Sequence, residues 1–204
     1  MKEINIKNLT IAFLIALILT VSVEAVGFEA KCDDLRSNIL RLHILANSDS
    51  EDDQQLKLAV RDAIINSDIA EFDKCTNLER AINIAEENIE AFTDIAKKVI
   101  NDNGYNYNIT ATVDKSYFNT RVYDDFTLPA GVYDALVIKI GKAEGKNWWC
   151  VMFPALCLPS ASDASLTNCV SDETAEIAVK PQKYQIRFKS VEIYQFIKKF
   201  LSKQ

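Results

Sequence analysis

The chain begins with an apolar run unlike anything that follows it. Leu9–Val23 contains no charged residue, and Lys2 and Lys7 precede it. As a helix this run would be about 22 Å long, shorter than the roughly 30 Å hydrocarbon core of a bilayer. A basic start, a short apolar run and small residues before a cleavage point are typical of a signal peptide. We therefore predict a signal peptide over residues 1–25, cleaved after Ala25, with an uncleaved N-terminal anchor as the alternative.

Residues 38–47 alternate between apolar and other side chains. This period of two is typical of a strand, and it places Arg41 and His43, the only histidine of the chain, opposite the apolar face. A helix start follows, because Ser48 or Ser50 can act as N-cap with an acidic residue three positions later. The apolar face of the predicted strand consists of Leu40, Leu42, Ile44 and Ala46.

The middle of the chain predicts one long helix and then several strands. Apolar residues recur at alternating steps of four and three over 77–101, as in a helix that packs on a sheet or, less commonly, in a coiled coil. Alternation returns at 105–113 and, more weakly, at 117–126. The segment 132–140 is rich in β-branched residues and predicts a further strand.

The C-terminal part predicts a hairpin, a loop and a final helix. The turn 141–147 leads into 148–153, which predicts that this strand pairs with the one before it. Residues 159–176 are small and polar, as in a surface loop. Residues 183–203 predict a short strand followed by an amphipathic helix. The inward face of that helix would consist of Val191, Tyr194, Ile197, Phe200 and Leu201.

These elements together predict an α+β fold. Because the strands follow one another instead of alternating with helices, we expect an antiparallel or mixed sheet with helices packed on one face. The chain has 204 residues, of which 49% are hydrophobic, and this is enough to bury a core. Residues 26–37 are predicted as a linker, and residues 38–204 as a single domain.

Charge and cysteine content narrow the function classes. The net charge is −6 with acids and bases mixed along the chain, so we expect no nucleic-acid partner. A single histidine and the lack of a Cys-x-x-Cys pair argue against a zinc site, and we expect no cofactor. In an exported protein five cysteines permit one or two disulfides. The proline turn after Cys150 predicts that this residue pairs with Cys157.

His43 is the residue best suited to act as a catalytic base. Ser48, Asp49 or Cys150 could complete a nucleophile–base–acid set with it, which would make the protein an exported hydrolase. No Gly-x-Ser-x-Gly nucleophile elbow accompanies these residues. A histidine on the outer face of a strand is more often structural or part of a contact surface. We therefore expect a protein that is not an enzyme and keep the hydrolase as the alternative.

Two blocks of sequence resemble one known family. The first is RLHILANSDSEDDQQLKLAVRDAI, and the second, far downstream, is LPAGVYDALVIKIGKAEGKNWWCVMFPALC. In order and spacing they resemble the stage II sporulation protein R family, and the resemblance covers residues 40–158. Glu51 and Ala155 stand where proline is common in the family. The tail after Pro159 lies outside the resemblance.

The resemblance implies signalling and not catalysis. Members of this family are made in the forespore of a sporulating bacterium and exported into the space between the forespore and mother-cell membranes. There they activate a membrane-embedded aspartic protease, which processes the precursor of a mother-cell sigma factor. The implied partner is the extracytoplasmic part of that protease, and this chain would meet the membrane only through its N-terminal segment.

On that interpretation the first block is a contact surface. We predict that Arg41 and His43 are exposed and that they contact the receptor together with Asn47 and Asp49. Trp148 or Trp149 would act as an aromatic anchor, because arginine and tryptophan are enriched at binding hot spots. The alternative is structural: residues 47–50 would turn the chain and cap a helix, and one tryptophan would face the core.

Overall fold

The described part of the chain contains six strands in two sheets. The strands are β1 (Leu40–Leu45), β2 (Ile109–Phe118), β3 (Arg121–Val122), β4 (Thr127–Leu128), β5 (Gly131–Ile140) and β6 (Asn147–Phe153). They belong to a computed structural model that describes residues 6–67, 69, 72–123, 126–156 and 166–201. The main sheet has the order β2-β5-β1-β6, and β3 pairs with β4 separately. β1 is parallel to β5 and the other pairs are antiparallel, so the sheet is mixed.

Helices surround this sheet. They are α1 (Ile6–Ser37), α2 (Glu51–Ile65), α3 (Leu78–Glu87), α4 (Ile89–Asp102), α5 (Asp172–Val179) and α6 (Pro181–Leu201). The helix predicted over 77–101 is present, but it divides at Asn88, whose φ of −107° and ψ of 14° depart from helical values. The predicted α+β class and mixed sheet are confirmed.

The predicted hairpin between the last two strands is wrong. β5 and β6 are consecutive in the chain, but β1 lies between them and pairs with both. The connection 141–146 therefore passes over the C-terminal end of β1. A local pattern of strand, turn and strand cannot reveal that an earlier strand is inserted, because this depends on contacts far apart in sequence.

Two hydrophobic cores lie on opposite faces of the sheet. The first core holds Leu40, Leu42 and Ile44 of β1 against α2, α3 and α4, which confirms the predicted apolar face. The prediction placed helices on one face, but the second face is also covered, by the C-terminal half of α1 with α5 and α6. β5 is buried on both sides, which accounts for its nearly continuous apolar sequence.

Residues 26–37, predicted as a linker, are instead the last turns of α1. Phe28, Cys32 and Leu35 are buried there in the second core. Upstream of them the same helix is exposed, and it is long and apolar enough to cross a membrane. One helix thus joins an exposed apolar segment to the folded core, which is consistent with a signal segment or an anchor. Cleavage after Ala25 stays a prediction.

The short strand predicted near residue 184 is also wrong, because the segment is helical and belongs to α6. Tyr184 and Phe188 contact the ring of Phe28, whereas Ile186 is 84% exposed. The spacing 184, 186, 188 fits a strand, but the spacing 184, 188 also fits one face of a helix. Of the five residues predicted to face inward, Val191 is buried, and Tyr194, Ile197, Phe200 and Leu201 are exposed.

Candidate functional site

The segment that follows β1 holds the connection between β5 and β6 in place. The side-chain oxygen of Asn47 accepts a hydrogen bond from the backbone N–H of Lys142 at 3.0 Å. The carboxylate of Asp49 accepts one from the backbone N–H of Lys146 at 2.7 Å. The backbone N–H of Gly145 donates to the carbonyl of Ala46 at 2.9 Å. Asn47 and Asp49, predicted as receptor contacts, therefore have a structural role in the described fold.

The start of α2 matches the capping pattern seen in the sequence. Ser50 is the N-cap, and its hydroxyl accepts a hydrogen bond from the backbone N–H of Asp53. The carboxylate of Asp53 is buried and accepts hydrogen bonds from the side chains of Ser48 and Asn47. Burial by itself raises the pKa of Asp53, but these hydrogen bonds and a further one with Tyr107 outweigh it and hold the pKa below the ordinary value.

We expect Asp53→Asn to lower the free energy of unfolding at pH 7 by about 1–3 kcal/mol, because buried donors lose an ionised acceptor. The folded-state pKa of Asp53 lies below the ordinary 3.8, so its contribution is complete above that pH. The contribution is lost as the pH falls through the folded-state pKa. Urea unfolding at pH 7 and at pH 3 would measure this difference between native and variant proteins.

Asp52→Asn is the matched control, because Asp52 is exposed on the same turn and should cost less than about 1 kcal/mol. If Asp53→Asn lowers the free energy of unfolding by as much at pH 3 as at pH 7, the ionised carboxylate of Asp53 does not stabilise the fold.

His43 lies on the second face of the sheet, opposite Trp149 of β6. Its Nε2 atom is 3.0 Å from the side-chain oxygen of Asn147. Its ring lies 5.5 Å from the ring of Phe118 and 6.1 Å from that of Trp149. Burial lowers the pKa of His43, although the hydrogen bond with Asn147 opposes this. The histidine is therefore neutral at pH 7, half-buried and hydrogen-bonded to an amide.

The prediction that Arg41 is exposed is wrong. Its side chain points away from the first core, as the strand alternation predicted, but it has no exposed surface. The guanidinium lies over the ring of Phe118 at 4.0 Å and donates a hydrogen bond to the hydroxyl of Tyr123. Alternation identifies the face of a residue, but it cannot show whether that face is covered. Here Phe118 and Tyr133 of the second core cover it together with Tyr123.

The two tryptophans lie on opposite faces, and each is half-buried. Trp148 packs against the first core beneath Arg61, whose guanidinium carbon is 4.4 Å from the ring centroid. Trp149 packs against the second core beneath Arg121, at 3.7 Å. The expectation that one tryptophan faces a core is met by both, because each face of the sheet carries its own core.

A groove of about 650 Å³ separates the edge of the sheet from α6. Asn147 and Trp149 line one side, and Ile193, Phe196 and Phe200 of α6 line the other. We call His43, Asn147, Trp149 and Arg121 with this groove the second-face surface. Asn147, Arg121 and the α6 residues did not emerge from the sequence, because cross-strand pairing and the path of α6 bring them to His43.

Cys150 is disulfide-bonded. Cys157, its predicted partner, lies outside the described residues, so the pairing stays a prediction. Cys32, Cys75 and Cys169 carry thiols. Burial raises the pKa of the Cys32 thiol to about 12, so this residue is not a reactive nucleophile at neutral pH.

The described residues contain no group of His, Cys, Asp and Glu side chains that could hold a metal ion. Among the hydrogen bonds of the described part, the histidine has an amide and no carboxylate as its partner. A half-buried aromatic side chain beside a groove is suited to contact with another protein. The fold is thus an α+β domain with a groove beside a half-buried tryptophan on its second face, carried on an apolar N-terminal helix.

This chain belongs to the stage II sporulation protein R family. Its residues 36–163 match the profile of the family described as "Stage II sporulation protein R (spore_II_R)". It is 39% identical over 137 residues to the stage II sporulation protein R of Bacillus subtilis (strain 168). The match covers 67% of this chain and 61% of that relative, which is less than two thirds of the relative's length. No solved structure matches the chain.

Proposed function

We propose that this protein is an exported sporulation signal that activates a membrane-embedded aspartic protease. The protease in turn processes the precursor of a mother-cell sigma factor. The observation that carries the proposal is the family match over residues 36–163, joined directly to an apolar helix of membrane-spanning length. The proposed location is the space between the forespore and mother-cell membranes, with the protein either released after Ala25 or held by α1.

Activation would be a shift between two states of the protease. A ligand shifts such an equilibrium only by binding the active state more tightly than the inactive one. Moving the active fraction from about 1% to about 99% needs roughly 5.5 kcal/mol of differential binding. The second-face surface offers a half-buried aromatic anchor, an exposed arginine and a groove, which are features found at the centre of tight interfaces. We therefore assign receptor contact to this face.

The hydrolase alternative has less support. A catalytic histidine is usually oriented by a carboxylate, whereas the Nε2 atom of His43 is hydrogen-bonded to the amide of Asn147. The acid nearest in the first sequence block, Asp49, accepts a hydrogen bond from the backbone of Lys146. These contacts favour a structural and contact role for the histidine.

Production in a bacterium that does not sporulate would test the proposal. The membrane protease and the sigma-factor precursor would be produced with no partner, with the full chain, or with a chain lacking residues 2–23. We expect processing only with the full chain, because the truncated chain stays in the cytoplasm. Processing that does not depend on this protein would refute the proposal. Turnover of peptide, ester or glycoside substrates by the protein alone would favour the hydrolase.

The two tryptophans provide a matched test of the contact face. We expect Trp149→Ala to lower activation per folded molecule at least about 10-fold, the effect of roughly 1.4 kcal/mol lost at a hot spot. Trp148→Ala should leave activation per folded molecule nearly unchanged, although both variants should lose about 2 kcal/mol of folding stability. Processing rate and thermal unfolding would be measured for both. The opposite order of activation would place the contact on the first face.

A further inference from the structure

Arg41 is fully buried, and its charge is only partly satisfied. The guanidinium carbon lies 4.0 Å from the ring centroid of Phe118 and 5.0 Å from that of Tyr133. Its Nη2 atom donates to the hydroxyl of Tyr123. Its Nε and Nη1 atoms are buried and have no hydrogen-bond partner. Aromatic faces stabilise a cation, but they supply no carbonyl or carboxylate acceptor for the N–H groups of these two nitrogens.

A second buried arginine, Arg36, differs from Arg41 because its guanidinium has acidic partners. Arg36 is 6% exposed and forms ion pairs with Glu29 at 2.6 Å and Asp33 at 2.7 Å. It also donates to the carbonyl of Ala130 at 2.8 Å. Within the described part of the chain, Arg41 has no such ion pair. Because a buried charge is strongly disfavoured without an opposite charge, Arg41 is poorly explained by folding stability alone.

Buried polar atoms in β1, in β6 and around β3 and β4 also have no hydrogen-bond partner. They include His43 Nδ1, Thr120 Oγ1, Thr127 Oγ1 and Trp149 Nε1. The rings of His43 and Trp149 both contact Phe118, the residue on which Arg41 lies. Hydroxyl, indole and guanidinium groups all donate hydrogen bonds. Apart from His43 Nδ1, which is an acceptor when Nε2 donates to Asn147, these groups can all act as donors. The charged side chain that packs on Trp149, Arg121, is also positive.

Part of the cover over Arg41 is a small element. β3 and β4 are two residues long, and Tyr123, directly after β3, brings its hydroxyl to the guanidinium. The rings of Phe118 in β2 and Tyr133 in β5 cover the rest. A two-stranded sheet of this length is only marginally stable by itself. Displacing this cover therefore costs less than opening the main sheet would.

We propose that Arg41 and its surroundings form a carboxylate-binding site that is completed when the β3–β4 cover moves. The ligand is an aspartate or glutamate side chain, or a C-terminal carboxylate, of the partner protein. A carboxylate is favoured because one such group neutralises one guanidinium and accepts several hydrogen bonds. That the partner is the protease rests on the proposed function, whereas carboxylate binding by Arg41 does not.

Thermal unfolding of the full chain in detergent micelles tests the site directly, with sodium acetate as the probe and sodium chloride at equal ionic strength as the reference. Acetate should raise the midpoint of the native protein by about 2–4 °C more than that of Arg41→Met. Arg41→Met should melt in chloride at or above the native midpoint, because an apolar side chain replaces a buried charge. Arg36→Met should melt well below it, because Glu29 and Asp33 lose their partner.

Two acids of this chain are the other possible source of a carboxylate, since Asp124 and Asp125 directly follow Tyr123 in the sequence. A variant in which both residues are changed to asparagine distinguishes these two acids from an external carboxylate. An external ligand predicts that acetate stabilises this variant and the native protein equally. Acetate stabilisation confined to the variant would mean that the chain's own acids fill the site, and it would overturn the proposal.

The activation assay connects the site to signalling. Arg41→Met should lower activation at least 10-fold without melting earlier, and Arg41→Lys should retain more activation because the charge is kept. Arg41 would instead be structural if Arg41→Met melted several degrees below the native protein. The same would follow if acetate raised the melting midpoint of Arg41→Met as much as that of the native protein. If the native protein does not activate the protease but acetate still raises its melting midpoint through Arg41, the proposed function is wrong and the carboxylate-binding site is supported.

Discussion

Removing residues 1–37 is expected to abolish cooperative folding, whereas removing residues 1–25 should leave the fold intact. The difference is the last part of α1, which buries Phe28, Cys32 and Leu35 in the second core. Removing even one buried Leu or Phe side chain costs about 2–5 kcal/mol, and a typical domain is stable by only about 5–15 kcal/mol. The loss of these three side chains together with Arg36 should therefore cost more than the whole free energy of unfolding of the domain.

The shorter truncation removes little that stabilises the domain. It deletes the ion pair between Glu24 and Arg187, but both side chains are about half exposed, and such pairs contribute little. Urea unfolding followed by circular dichroism would compare chains 26–204 and 38–204. Equal unfolding midpoints would show that the end of α1 is a linker after all.

Gly145→Ala should be among the most damaging single substitutions. A Cβ atom at this position would lie 2.2 Å from the carbonyl oxygen of Ser48 and 2.5 Å from its carbonyl carbon. These are backbone atoms, so the clash cannot be relieved by a side-chain rotation. The segment after β1 and the connection 141–146 would have to separate, at a cost of about 3 kcal/mol. The urea midpoint would measure the loss.

Gly27→Ala is the matched control for this substitution. No atom lies within 4 Å of its added Cβ, and the residue is within α1. Because alanine is the better helix former, the free energy of unfolding should stay the same or rise by up to about 1 kcal/mol. A Gly145→Ala protein as stable as Gly27→Ala would mean that the contact between the two segments is not tight.

The strand and helix start around His43 could be predicted from the sequence because they depend on local patterns. Alternation identified the faces of β1, and Ser50 with Asp53 marked the start of α2. The insertion of β1 between β5 and β6 could not be predicted this way, since it joins segments about a hundred residues apart. The roles of Asn47 and Asp49 follow from that insertion, so the sequence suggested receptor contact where the structure shows hydrogen bonds to the connection.

The second face was harder to predict because distant segments build it. Residues 26–37 have no strong period, and only their position against β5 shows that they complete a core. Tyr184, Ile186 and Phe188 fit the period of a strand as well as part of a helix. The strand pattern predicts an exposed Arg41 because it does not show that Phe118, Tyr123 and Tyr133 come together over this face.

The most direct test of the proposed signalling role is a measurement of sidedness. The protease would be reconstituted in lipid vesicles with its extracytoplasmic part facing outward and the sigma-factor precursor enclosed. Purified full-length protein would then be added outside, with the Trp149→Ala and Trp148→Ala variants in parallel. An activator acting on the extracytoplasmic side predicts processing with the native protein and with Trp148→Ala, and at least about 10-fold less with Trp149→Ala. Processing at the same rate with and without added protein would contradict activation by this chain.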